Sequence, residues 1–233
     1  MATILHIETA TNICSVALSD NEKILALKET ERANTHTELT TVFIQEVLAE
    51  ANVDINLLDA VAVSMGPGSY TGLRIGVSVA KGLCYALEKP LISVGTLTSM
   101  AYGAMQQFTD TDNATLFCPM LDARRMEVYY AMFTDKLEMF RTPQAEIMTE
   151  KSFEDLLYDH KIIMFGDGMN KCRSLFENCN KVSFLDNFLP SAKFMIMPAL
   201  KKFNEHVFEN TAYFEPFYLK DFIAGTPNVK GLK

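Results

Sequence analysis

Residues Met65 to Gly76 read Met-Gly-Pro-Gly-Ser-Tyr-Thr-Gly-Leu-Arg-Ile-Gly, and their types and spacing suit them to holding an anion. An apolar run, Ala60-Val61-Ala62-Val63, leads in as a buried strand, and a helical run from Leu73 to Leu87 leads out. Pro67 presets φ at the second position of a turn, and Gly68 is expected to take the positive φ of the third. Ser69 or Thr71 can cap the helix by accepting from its first free N–H groups. A strand, a glycine turn and a helix N-terminus aim several backbone N–H groups at one point. The same residues also suit a plain strand-to-helix turn with no ligand. Two sharper readings fail. A P-loop needs a lysine after its last glycine, where this loop has Thr71-Gly72. A dinucleotide fingerprint needs glycine at Thr71 and an acidic residue closing the next apolar run, Leu91-Ile92-Ser93-Val94.

Metal and nucleophile chemistry finds little support. None of the histidines His6, His36, His160 and His206 falls in a His-Glu-x-x-His pattern or in a Cys/His cluster of zinc spacing. Cys14, Cys84, Cys118, Cys172 and Cys179 contain no Cys-x-x-Cys pair and are odd in number, as expected of buried thiols in a reducing cytoplasm. The net charge is −8, and Lys201-Lys202, Lys230 and Lys233 are isolated rather than a stripe. A chain that grips RNA unaided carries a concentrated basic surface, so RNA binding by this chain alone is not expected. The aspartate and arginine of Asp122-Ala123-Arg124-Arg125 suit tying down their own loop, and Gly166-Asp167-Gly168 is a turn suited to approach by a nucleotide but without a fuller glycine-rich loop.

The elements that must position these residues alternate. Ile4–Ile7, Ser15–Leu18 and Lys23–Thr30 read as strands, followed by a helix from Thr37 to Ala51 with Leu39, Val42, Phe43, Val47 and Leu48 at helical spacing. After the strand Ala60–Ser64 and the second helix, Pro90 precedes a strand at Leu91–Val94, and Leu97–Phe108 is a third helix. The polar stretch Thr109–Asn113 marks a lobe boundary. Beyond it strands are expected at Thr115–Pro119, Glu127–Phe133, Leu137–Phe140 and Lys161–Phe165, with a helix at Ser152–Tyr158 and a short one after Gly168. Ala192–Asn210 reads as helix with a break or fresh start at Pro198, and Tyr213–Leu219 as an apolar tail. Pattern alone gives a mixed α/β protein with an antiparallel start. With 233 residues, 48% hydrophobic and 21% charged, it has the composition of a soluble globular chain. No run reaches the roughly 18–20 apolar residues of a membrane span, and no signal peptide opens it.

Ile7-Glu8-Thr9, Asn34-Thr35-His36-Thr37-Glu38-Leu39, the Gly66–Gly76 string, Ala80-Lys81-Gly82-Leu83 and Asp122-Ala123-Arg124-Arg125-Met126-Glu127-Val128-Tyr129 follow in the order of one family. The chain resembles the TsaB family, small partner subunits of the bacterial machinery that makes threonylcarbamoyl-adenosine in tRNA. The likeness is dense over the first ~130 residues and looser beyond. It implies a two-lobed actin-like ATPase (ribonuclease H-like) α/β fold, each lobe a mixed sheet with flanking helices. Residues 1–108 would form the N-terminal lobe and 109–233 a smaller C-terminal one. It also implies a non-catalytic, cytoplasmic scaffold that pairs with TsaD, is joined by the ATPase TsaE and meets tRNA only through the complex. A homodimer is the expected state when TsaD is absent. TsaD carries a His-x-x-x-His metal pair, and aligning on Pro90–Val94 puts Thr96 and Met100 at those places, where neither replaces an imidazole.

In this superfamily the first-strand loop and the glycine loop face a nucleotide cleft. That makes Glu8, Thr9, Gly66, Gly68 and Ser69 the candidates for a cofactor, with ATP or ADP expected only at the complex interface. The alternative for Thr9 and Thr11 is bonding to their own turn. Alternative functions are a small ATP-dependent kinase or a metallopeptidase of the same superfamily. On the second helix, Arg74, Lys81 and Glu88 share one narrow face, leaving about 200° apolar where one sheet needs ~100°. The resemblance assigns the excess, with the preceding helix, to the TsaD interface: Leu39, Val42, Phe43, Ile75, Val79, Gly82 and Leu83.

Overall fold

The computed structural model describes residues 2–31, 36–108 and 114–220, with backbone alone at 36 and 37. The side chain of His36, the whole Thr109–Asn113 boundary and the tail lysines Lys230 and Lys233 therefore lie outside the described residues.

The first sheet has the order β3-β2-β1-β4-β5. Strands β1 (Thr3–Glu8), β2 (Cys14–Asp20) and β3 (Lys23–Thr30) form an antiparallel meander, while β4 (Ala60–Gly66) and β5 (Leu91–Gly95) run parallel to β1. Parallel neighbours need crossovers, which α1 (His36–Ala51) and α2 (Tyr70–Leu87) supply. Alternation divides the strands between two cores. Leu5, Ile7, Val61 and Val63 pack under α1 and α2, with Ile44, Val47, Val77 and Ala80. Ile4, Ala60, Ala62, Ile92 and Val94 face the other way. Burial on both faces is why Ala60–Val63 is an unbroken apolar run.

The second sheet, order β10-β9-β6-β7-β8, comprises β6 (Thr115–Asp122), β7 (Glu127–Phe133), β8 (Met139–Ile147), β9 (Lys161–Phe165) and β10 (Val182–Leu185). Three elements differ from expectation. β8 shares only Met139 and Phe140 with the segment expected at Leu137–Phe140 and runs on to Ile147, because Leu137 sits at φ 60° in the turn and β7 supplies pairing as far as Ile147. Pro143 is tolerated there because β8 is an edge strand. The helix expected over Ser152–Tyr158 is one turn, α4 (Glu154–Leu157). β10 carries no alternating pattern and was not expected; it forms by parallel pairing to β9. Gly166-Asp167-Gly168 does turn into α5 (Met169–Phe176).

The two halves of the chain exchange elements. α3 (Thr96–Met105) follows the first sheet but packs Leu97, Met100, Ala101 and Ala104 against Phe117, Leu121, Phe133 and Phe165 of the second. Conversely, α6 (Ile196–Asn204) returns to the first sheet, where Ala199 and Leu200 cover Ile4, Ala62 and Ile92. The chain division at 108/109 is thus not a packing division. Ala192–Asn210 restarts as expected: a 3-10 turn, Ala192–Met195, runs into α6, with Pro198 in its first turn. A proline there loses no helical bond.

Candidate functional site

Two loops leave the C-terminal ends of β1 and β4 and are stitched together. Thr9 Oγ1 donates to Gly72 O at 2.8 Å, and Ser69 N–H donates to Ala10 O at 2.6 Å. The bond of Thr9 is therefore to α2 and not to its own turn, whereas Thr11 Oγ1 accepts from Ile13 N at 3.2 Å within its turn. The positive φ expected at Gly68 is instead at Gly66, φ 110°, next to a cis peptide to Pro67. Gly68 is needed for close approach, since a Cβ there would stand 2.3 Å from Ala10 O. Ser69, rather than Thr71, caps α2, accepting from Gly72 N at 3.3 Å, so the helix begins at Tyr70 and not at Leu73.

Glu8 ends β1 fully buried. Its Oε1 accepts from Ala10 N at 2.7 Å, while Oε2 has no hydrogen-bond partner among the described residues. Burial pushes its pKa up to about 7, against the pull of the Ala10 N–H. Two residues back on the same face, His6 is also fully buried, with Nε2 2.9 Å from Ser19 Oγ. Burial lowers its pKa to about 3.

Between the lobes lies a cleft of about 520 Å³. Gly68, Ser69 and Thr71 form one wall, Asp122, Arg124 and Asp167 the other. Of the cofactor candidates, Gly68 and Ser69 reach this cleft, while Glu8, Thr9 and Gly66 lie behind its lining. The polar groups opposite are engaged with one another. Asp122 Oδ1 accepts from Arg124 N at 2.7 Å and is ion-paired to Lys171, and Asp167 Oδ1 accepts from Asp122 N at 3.0 Å. Burial would raise the Asp122 carboxyl, but Lys171 and the Arg124 N–H hold it below its usual value; burial raises Asp167. A third wall, which sequence reasoning missed, is the segment Phe217–Lys220. An apolar tail has no periodicity by which its resting place could be read.

The two positions aligned with TsaD's metal ligands are packed. Thr96 opens α3 fully buried, with Oγ1 unpartnered among the described residues. Met100 is fully buried, and its Cε stands 2.7 Å from where a Cβ on Gly166 would be. Among the described residues no group of three or more His, Cys, Asp or Glu could hold a metal ion.

On α2, Thr71, Arg74, Ser78, Gly82, Tyr85 and Ala86 are exposed. Of the wet edge expected at Arg74, Lys81 and Glu88, Arg74 and Glu88 are exposed and Lys81 is not. Lys81 is half-buried, donating to Ala212 O and Phe214 O, and Glu88 is the left-handed cap residue at φ 53°. On the other flank Ile75, Val79 and Leu83 are half-buried toward α1, where Leu39 and Phe43 are half-buried and Val42 is 41% exposed. A Cβ on Gly82 would meet nothing within 4 Å. The seven residues assigned to an interface therefore lie at or near the surface of adjoining helices.

Residues 28–227 match the family model described as TsaD, tRNA N6-adenosine threonylcarbamoyltransferase. The Escherichia coli K12 protein described as tRNA threonylcarbamoyladenosine biosynthesis protein TsaB is 30% identical over 229 residues, 95% of this chain and 96% of its own. Its Haemophilus influenzae namesake is 28% identical over 94% of each chain. A Pseudomonas aeruginosa crystal structure, described as an uncharacterized protein with similarity to peptidase YeaZ, superposes with a TM-score of 0.80 at 24% identity. It covers 94% of this chain and all of its own. Component A of (R)-2-hydroxyglutaryl-CoA dehydratase from Acidaminococcus fermentans superposes with a TM-score of 0.50 at 10% identity, over 88% of this chain and 99% of its own, which speaks to fold alone. Two mixed five-stranded sheets with flanking helices make this the two-lobed actin-like fold. With a family model spanning 28–227 and a relative aligned almost end to end, the chain belongs to the TsaB family of tRNA threonylcarbamoyladenosine biosynthesis proteins.

Proposed function

We propose that the chain is a non-catalytic scaffold that pairs with a TsaD-type protein. In that heterodimer it supports transfer of the threonylcarbamoyl group to the adenosine beside the anticodon of tRNA. The observation that carries the reading is the half-exposed apolar flank of Ile75, Val79 and Leu83 on α2, beside Val42 and Phe43 of α1 and the open position at Gly82. Small residues on a helix let another backbone come close, and apolar surface left at a helix pair is what a partner covers. In this reading a TsaE-type ATPase joins the complex, tRNA is met only through it, and ATP or ADP binds only at its interface. Without TsaD the same flank covers a second copy of this chain. The site of action is the cytoplasm; no described helix is long and apolar enough to cross a membrane. The packing of Met100 against Gly166, and the inward-turned Glu8, favour a chain that leaves catalysis to its partner.

The test uses Gly82→Arg and Val42→Asp, which alter the flank without entering the core. Pull-down with the TsaD-type protein should weaken on the order of a hundredfold, the cost of burying an unpaired charge. The melting temperature should stay within a few degrees of wild type, as for surface changes generally. Undiminished pull-down by both variants would remove the interface from these helices. Hydrolysis of ATP or modification of tRNA by the isolated chain would remove the scaffold role.

A further inference from the structure

Residues 212–220 cross α2, the glycine loop and the mouth of the cleft. They hold the first lobe at several points. Lys81 Nζ donates to Ala212 O at 3.2 Å and to Phe214 O at 2.9 Å. Phe217 N–H donates to Met65 O at 2.7 Å, and Phe217 O comes so near that a Cβ on Gly66 would lie 2.6 Å from it. The Tyr218 ring centroid is 4.9 Å from that of Tyr70, and its hydroxyl accepts from Arg74 Nε at 3.4 Å. The segment then changes lobe, where Lys220 is ion-paired to Glu127 at the start of β7. One short stretch thus ties the β4–α2 junction to the second sheet while forming a wall of the space between them.

These ties are of a releasable kind. The stretch belongs to neither sheet, so its order rests on these contacts rather than on a ladder. The Lys220–Glu127 pair keeps 43% and 19% side-chain exposure, which limits its strength. Phe214 alone of the segment's side chains joins the first core; Tyr213 is 83% exposed and Phe217 38%. Release beyond Phe214 would therefore leave both cores intact.

We propose that residues 212–220 form a latch that holds the two lobes closed over the cleft, and that its release lets them part. The latch is a property of this chain alone and does not depend on the scaffold role.

The test is an interlobe distance measured by spin labels on the full chain, placed at Ser78→Cys on α2 and Thr142→Cys on β8, with Cys179→Ser to silence the half-buried native thiol. Adding Tyr218→Ala and Lys220→Ala should shift the distribution to longer distance and broaden it. Hydrogen exchange at 217–220 should accelerate about tenfold, as for a segment whose open state becomes that much more populated. Faster exchange at 217–220 with an unchanged interlobe distance would make the segment a passive tail and overturn the latch. Lys220→Gln alone cuts only the tie to the second lobe and keeps Tyr218 in place. It should give the same shift in smaller measure, and no shift in a cooperatively melting Lys220→Gln protein overturns the proposal as well.

Discussion

Glu8 and His6 share one face of β1, and burial acts on them in opposite senses. Glu8 titrates near 7 in the folded chain against 4.5 unfolded, so its stabilisation is full below 4.5 and is lost as pH rises to about 7. His6 titrates near 3 folded against 6.5 unfolded, so its stabilisation is full above 6.5 and is lost as pH falls toward 3. Between pH 4.5 and 6.5 the two slopes cancel. In a Glu8→Gln protein the histidine acts alone, and stability should rise by about 3 kcal/mol across that window, at about 1.4 kcal/mol per unit. Urea unfolding of both proteins at pH 4.5, 5.5 and 6.5 checks it; parallel curves would show that burial does not govern Glu8. Gly68→Ala should cost about 1–3 kcal/mol or more, because the clash is with backbone that cannot rotate away. The sequence made the glycine loop conspicuous but not the work of each residue. Which glycine takes positive φ, and which makes room for the carbonyl of Ala10, depends on how the β1 loop seats against it.

At the level of elements, α2 was legible in its existence and in its apolar excess. Of that apolar arc, Val77, Ala80 and Cys84 are in the core. Periodicity puts Arg74 and Glu88 on the wet edge, where they are, but misses that Lys81 is covered by residues distant in sequence. The exposed stripe also takes in Ser78 and Gly82, which bear no charge to advertise it. A contrast within the helix follows. Val77 is 4% exposed, so Val77→Asp should lower the melting temperature steeply and lose soluble protein, whereas Gly82→Arg should spare the melt and weaken only partner binding. Equal losses of stability in the two would mean that the flank around Gly82 is internal.

For the whole molecule, the order of strands and helices was readable through β5, since local pattern and pairing agree there. The second half was read less well: β10 and the true extent of β8 exist only through pairing with neighbours. Least legible was the exchange of α3 and α6 between halves. α6 is amphipathic and α3 is buried over most of its length, and neither pattern says which sheet receives the helix. The exchange predicts that a fragment of residues 1–108 cannot stand alone. It would leave Ile4, Ala60, Ala62, Ile92 and Val94 without α6, and Leu97 and Met100 of α3 without the second sheet. Such a fragment should bind a hydrophobic dye and melt without a cooperative transition. A sharp melt would show that the first sheet is self-sufficient.

The open position at Gly82 also makes the chain a convenient substrate for surface chemistry. Cys14, Cys84, Cys118 and Cys172 are buried, and burial raises each thiol, Cys84 to about 11, so few thiolates are available at neutral pH. Once Cys179 is made serine, a Gly82→Cys side chain would stand as the accessible thiol on α2, in space where its Cβ displaces nothing. Alkylation at that position should run at the rate of a free surface thiol in the isolated monomer and slow by about tenfold or more when a protein covers the helix. An alkylation rate unchanged by saturating TsaD-type protein would place the partner elsewhere.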